Sequence, residues 1–414
     1  QLVVGEFPAF GDSQTRAIGT PDEGKTSWAE GDELLLVIDN TFYGKQYATF
    51  TYNDKSWKLT SGELVYREGD PAYIPHVYYA PNYKWEAGKL VLKEGKDPGT
   101  DEYIEGNARI TGNSETITVS FAEATRKYSR LRIATLPNEQ ITVDTEYFTP
   151  AGSSDMEQNG NYTLTSDEKG NAYLYGTFEN NSEVTVKYRE AALTTYTFSQ
   201  ATESAKSYAL DATVISANSA EEIKSAIKQK VADGKTTIRL NLAPNAGTDE
   251  FMAIREAIKG AAPNDEGTIE LTIIGVETIP EEAFKRMSQL KSVKMPDVKE
   301  IKKYAFSECQ YLTVVEAPSL NKLNCGAFNE CYLLSKLTFG PINYADARYW
   351  PIFEDITPNI DLILSDYQKE MIETDDDLYT ANNDIDYAFS PEHVSKNFLG
   401  HEFKSITCSR YRVE

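Results

Sequence analysis

Three segments set 22 residues apart constrain what this chain can fold into more than any other feature. They read AFKRMSQLKSVKMP from 283, AFSECQYLTVVEAP from 305 and AFNECYLLSKLTFG from 327. In phase with them stand Val276, Val298 and Leu320, then Ile279, Ile301 and Leu323. Next come the Ala-Phe pairs 283–284, 305–306 and 327–328, and the column Met287, Cys309 and Cys331. Leu290, Leu312 and Leu334 follow, with Val293, Val315 and Leu337 three residues later. Pro296, Pro318 and Gly340 close the units. Six apolar columns in one phase are the signature of stacked coils, because one unit of this length cannot bury its apolar face alone. LKSVKM, LTVVEA and LSKLTF fit the Leu-x-x-Leu-x-Leu template, in which one short strand per coil supplies inward side chains to a shared core.

The pattern Ile-x-x-x-Ala-Phe-x-x-Cys-x-x-Leu-x-x-Val-x-x-Pro resembles the BspA-type leucine-rich repeat of bacterial surface proteins, over about 276–340. Cys309 and Cys331 take the small inward position that Met287 holds in the first unit, so a packed column explains them, since free Cys behaves as a small hydrophobe. A bridge between coils in an oxidising compartment and a metal site are the alternatives. No Cys-x-x-Cys pair exists, and the four Cys all follow position 300. Upstream, SAEEIKSAIKQKVADG opens on Ser219 and Glu222 in capping-box spacing and predicts a helix. TTIRLNL (236–242) predicts a strand, DEFMAIREAIKG (249–260) a helix and TIELTII (268–274) a strand, together a helical N-terminal cap. NIDLILS (359–365) reads as the last strand after an excursion through INYADARYWPIFEDITP, and FLGHEFKSI (398–406) as a closing stretch.

The front of the chain has another character. ELLLVI, YATFTY, WKLTSGELVY, HVYYAP, ITVSFA, RLRIAT, AYLYGTF and EVTVKYR are short alternating runs separated by turn residues, as in antiparallel β-sandwiches. The most polar stretch among them, LKEGKDPGTDEYIEG (92–106), suggests a boundary. The expected fold is therefore mainly β with an α/β part: two antiparallel β-sandwich domains (1–105 and 106–212) followed by a leucine-rich-repeat solenoid (213–414). TRA (15–17), WAEGDELLLVI (28–38), ATFTYNDKSWKL (48–59) and YIPHVYYAP (73–81), in that order, resemble the N-terminal domain of fimbrillin-like (Mfa-like) proteins. ITVSFAEATRKYSRLRI (117–133) fits the second domain of the same family. The resemblance implies an exported surface lipoprotein of anaerobic Gram-negative bacteria, tied to fimbriae or adhesion, with other fimbrial subunits as partners. The lipid-bearing Cys would precede Gln1. The chain opens on Gln1 rather than Met, so a precursor with a removed export segment is expected.

Charge narrows the partners. There are 41 Lys+Arg against 64 Asp+Glu, a net charge of -23, which disfavours nucleic acid and anionic membranes. No run of about 18 apolar residues exists, so a membrane is reached only through a lipid anchor outside the chain. With three His, and no Gly-x-Ser-x-Gly, Walker, Gly-x-Gly-x-x-Gly or His-Glu-x-x-His pattern, neither an enzyme nor a cofactor is expected.

Four candidate surfaces remain. The outward positions of the repeat strands form a grid of Lys291, Ser292, Lys294, Thr313, Val314, Glu316, Ser335, Lys336 and Thr338, modestly basic on an acidic chain and suited to a protein or glycan ligand; a solvated face is the plain alternative. Arg16 is a candidate processing site by the fimbrillin resemblance, in which cleavage frees a strand (here LVVGEFPAF, 2–10) and opens a groove for the next subunit's strand. An ordinary exposed loop arginine is the alternative. The run ETDDDLYTANNDIDY (373–387) is either a Ca²⁺ loop or a solvated acidic loop. YYAPNYKW (78–85) is either an aromatic sugar platform or a set of strand aromatics in a core. The function expected is a non-enzymatic surface adhesin or fimbrial accessory protein binding protein or glycan through the repeats. The alternative is a surface glycan-binding lipoprotein for nutrient capture.

Overall fold

The computed structural model describes residues 1–12, 25–40, 43–65, 75–111, 116–121, 126–189, 191–217, 219–262, 264–346, 351–365, 373–374, 397–399 and 401–408. The chain divides into two compact units, Gln1–Thr213 and Val214–Glu414.

In the first unit a seven-stranded sheet runs in the order Leu2–Val4, Thr116–Val119, Ile104–Thr111, His76–Tyr79, Glu33–Asn40, Gly44–Asn53 and Ser56–Glu63. Its two outermost strands approach each other, so the sheet curls. Strict alternation puts Leu34, Leu36, Val77 and Tyr79 inside the curl with Ile104, Ala108 and Val119. Leu2 and Phe7 of the N-terminal segment fill the same core. An eight-stranded sheet follows, in the order Ala191–Thr197, Glu183–Tyr188, Gln140–Pro150, Asn171–Phe178, Ser129–Ala134, Lys206–Asp211 and Gly11–Asp12, with Glu157–Thr165 also on Gln140–Pro150.

Most of this pairing is antiparallel, but the expectation of purely antiparallel sandwiches needs correcting at three strand pairs. Leu2–Val4 runs parallel to Thr116–Val119, Ser129–Ala134 parallel to Lys206–Asp211, and that strand parallel to Gly11–Asp12. The N-terminal segment causes the first and last of these, its first strand joining one sheet and its second the other, while the middle pair lies within the second sheet. The stretch 92–106 also does not separate the sheets, since Ile104–Thr111 and Thr116–Val119 belong to the first of them.

The second unit holds the repeats. Eight parallel strands run Ile215–Ser216, Thr237–Asn241, Ile269–Ile274, Leu290–Lys294, Val314–Ala317, Lys336–Phe339, Asp361–Leu364 and Ser405–Cys408. A five-stranded parallel sheet of two-residue strands begins Thr278–Ile279, Glu300–Ile301, Lys322–Leu323 and Tyr344–Ala345, each 22 residues after the last. Two helices precede the repeats. In α1 (Ala220–Ala232) the Ser219 hydroxyl caps by accepting from the Glu222 N–H at 3.4 Å, and Ile223 and Ile227 are buried. In α2 (Thr248–Ala261) the Glu250 carboxylate accepts from the Gly247 N–H at 2.8 Å, and Phe251, Ile254 and Ile258 are buried.

Inside the coils the Ala-Phe column becomes a stack of rings. Phe284 and Phe306 lie 5.3 Å apart, Phe306 and Phe328 5.5 Å, and Phe328 and Phe353 5.7 Å, within 19° of parallel. Phe251 of α2 closes one end edge-on at 74°, and Phe403 closes the other at 86°. Phe353 belongs to a fourth rung that the 22-residue period does not show. The Phe328 N–H donates to the Ile352 carbonyl as the Phe306 N–H donates to that of Ala327. Asp361–Leu364 is a strand, as expected, but it is not the last, because Ser405–Cys408 pairs beyond it.

Candidate functional surfaces

The nine grid residues all point away from the core, and none is buried, while Leu290, Val293, Leu312, Val315, Leu334 and Leu337 between them are. Strand register aligns Ser292 with Val314 and Lys336, and Lys294 with Glu316 and Thr338. The same rows continue through Asp361 and Ile363 to Ser405 and Thr407, positions that lay outside the sequence grid because the longer spacing there broke the period.

The basic character read from sequence is largely offset. The Lys291 ammonium meets the Glu270 carboxylate at 2.8 Å and that of Lys294 meets Glu316 at 3.2 Å. Glu270 comes from Ile269–Ile274, the strand before the three in-phase units, which is why the charges of those units alone give a larger positive excess. Two grid residues are also tied to the scaffold. The Thr313 hydroxyl donates to the Lys291 carbonyl at 2.8 Å, and the Ser335 hydroxyl to the Thr313 carbonyl at 3.0 Å. Ser292, Val314, Lys336 and Thr338 complete the outward set.

Cys309 and Cys331 sit in the core as a column below Met287. Each thiol donates to the phenylalanine carbonyl of the preceding coil, Cys309 to Phe284 at 3.0 Å and Cys331 to Phe306 at 3.1 Å. Burial pushes the Cys309 thiol up to about 12 and raises Cys331 as well. Both are free thiols, and so is the buried Cys325.

The N-terminal segment is built into the first unit. The Gly5 carbonyl accepts from the Trp28 indole at 2.8 Å, and Phe7 packs edge-on against Trp28 and Tyr79 at 4.9 and 5.6 Å. The Pro8 carbonyl accepts from Arg126 at 2.8 Å, and Phe10 lies 4.0 Å from the same guanidinium. Arg126 is buried and forks both oxygens of Glu102 at 2.9 and 3.0 Å. Arg16 lies outside the described residues, as does the acidic run 373–387 apart from Glu373–Thr374. Among the described residues, no three His, Cys, Asp or Glu side chains are grouped to hold a metal ion.

The aromatic stretch 78–85 splits between the two readings given to it. Tyr79 is buried in the core, its hydroxyl donating to Asp32 at 3.1 Å. Tyr78, Tyr83 and Trp85 point to the other side of the sheet and line clefts there. No described helix is long and apolar enough to cross a membrane.

With these surfaces in place, comparison with known proteins bears on the repeats. The BspA type leucine rich repeat region matches in six copies over residues 268–349. This stretch of the chain is similar to BspA-type leucine-rich repeats. No curated protein matches. Among solved structures, the chain is similar to that of GBS52, the minor pilin in the Gram-positive pathogen Streptococcus agalactiae. The identity is 10%, covering 51% of this chain and 94% of that one, and the TM-score is 0.18, too low to argue a shared architecture.

Proposed function

We propose that this chain is a non-enzymatic surface adhesion or fimbrial accessory protein whose repeat region forms a solenoid that binds protein or glycan. The observation that carries the reading is the BspA-type region with its outward strand rows. Stacked strands about 4.8 Å apart present side chains at fixed spacing with little conformational freedom left to lose on binding. The fimbrillin-like order of TRA, WAEGDELLLVI, ATFTYNDKSWKL and YIPHVYYAP supports the fimbrial half of the reading. A cell-surface location follows from the same resemblance.

Beads coated with the full chain and passed over an epithelial monolayer test the adhesive role. Wild-type beads should be retained, and beads carrying Val314→Glu with Lys336→Glu should wash off, because the substitutions put like charges in the middle of the rows. Retention equal to that of uncoated beads would end the adhesive reading. Limited digestion with an Arg-specific protease tests assembly. Cleavage after Arg16 that yields growing oligomers supports a polymerising subunit, and cleavage that leaves a monomer argues for a tip or free adhesin.

A further inference from the structure

The face of the seven-stranded sheet opposite its core carries an aromatic site that the repeat reading does not use. Alternation should leave Leu35 and Val37 exposed to water, since Leu34, Leu36 and Ile38 face inward, yet they are only 8% and 6% exposed. A hairpin, Tyr83–Glu86 with Lys89–Leu92, stands beside them, and Leu35 and Val37 line the clefts that its Trp85 and Leu90 also line. Its two-residue turn has Ala87 and Gly88 at φ 49° and 79°, the left-handed pair of a tight type I′ turn, so the hairpin is stiff. Its foot is fixed by Tyr83, edge-on to Tyr103 at 5.3 Å with its hydroxyl toward the Ala151 carbonyl at 3.5 Å. Gly152 permits that approach, because a Cβ there would lie 2.6 Å from the Tyr83 oxygen.

Clefts of about 640 and 670 Å³ open beside the hairpin and share Tyr78, Tyr83, Trp85 and Leu90. Trp85 lies beside Tyr47, with ring centroids 6.0 Å apart, and the Lys45 ammonium is 5.6 Å from its ring. One cleft adds Thr49, Ser61, Asp32 and Asp101, and the other Asp39, Lys45 and His76.

We infer that these clefts bind a neutral carbohydrate chain, with sugar rings laid on Tyr47, Tyr78 and Trp85 and hydroxyls meeting the carboxylates and hydroxyls around them. The floor strands Glu33–Asn40, Gly44–Asn53 and His76–Tyr79 are each paired on both sides, so they offer no free backbone edge to an extended peptide. Asp32, Glu33 and Asp101 face Lys84 and Lys93 in one cleft, and Asp39 faces Lys45 and Lys89 in the other, so neither sign of ligand charge is favoured, and the density of polar groups opposes a hydrocarbon. What fits is a molecule with flat apolar faces and many neutral hydroxyls, in a preformed site of ordinary ligand-pocket size.

The test uses the full chain, fluorescently labelled, on an array of immobilised neutral oligosaccharides containing hexose, N-acetylhexosamine and fucose. Binding to at least one class is expected. Trp85→Ala and, separately, Tyr47→Ala should each weaken it by about tenfold. Tyr47 is 38% exposed, so its variant keeps the fold even if Trp85→Ala loosens the hairpin. Lys336→Glu should leave glycan binding unchanged, which separates this site from the repeat face. The inference is overturned if no oligosaccharide binds, or if binding survives the Tyr47 variant. Loss only with Lys336→Glu would move the ligand to the repeats, and capture of proline-rich basic peptides instead of sugars would name another ligand class.

Discussion

The Cys309 thiol donates to the Phe284 carbonyl, and burial holds it in the protonated form up to about pH 12. A thiol whose folded value lies above its ordinary 9.0 contributes its full stability below that value and loses it as the pH rises toward 12. Denaturant titrations at rising alkaline pH should therefore show the second unit weakening, and less steeply in Cys309→Ala/Cys331→Ala, which is less stable below pH 9.0 to begin with. At neutral pH neither thiol should react with a maleimide until the chain is unfolded. Arg126 is the other residue on which much turns. It pairs with Glu102 in the interior and anchors Pro8, so Arg126→Met leaves a buried carboxylate without its ion partner and should cost about 3–5 kcal/mol. Arg126→Met/Glu102→Leu should recover most of that loss, measured by urea unfolding. The in-register cysteines were legible as core residues because a Met shared their column. The Arg126–Glu102 pair was not, for no spacing in the sequence links two positions outside the strands that meet only in three dimensions.

At the level of elements, periodicity revealed whatever is local. The helices starting after Ser219 and Gly247 and the strands at 237–241 and 269–274 follow from caps and alternation. Ser219→Ala should lower stability by about 1 kcal/mol, read as a shift of the urea midpoint. The ring stack was half visible. Phe284, Phe306 and Phe328 stand in phase, while Phe353 comes 25 residues after Phe328 and follows Ile rather than Ala. Phe306→Ala, in the middle of the stack, should cost about 3–5 kcal/mol in chemical unfolding, since both neighbouring rings lose their contact. The parallel edges of the first unit had no signal at all, because Leu2 finds Ile117 and Gly11 finds Lys206 across intervals that no local pattern spans.

For the whole molecule, each unit has its own core, so thermal unfolding should resolve two transitions. Deleting residues 1–12 strips an edge strand from each of the two large sheets of the first unit and uncovers the sites of Leu2, Phe7 and Phe10. The first unit's transition should fall and bind a hydrophobic dye, while the second stays in place; joint movement of both would show that the units unfold together. The contrast between the units reaches beyond stability. In the repeat region, rings and rungs of one kind lie between two edge-on lids, Phe251 and Phe403. A gene-level duplication of one whole unit would add one ring and one rung and leave both lids as they are. The length of this surface is thus open to recombination, whereas the first unit, with strands exchanged between its first residues and its last, can change only by replacing single residues.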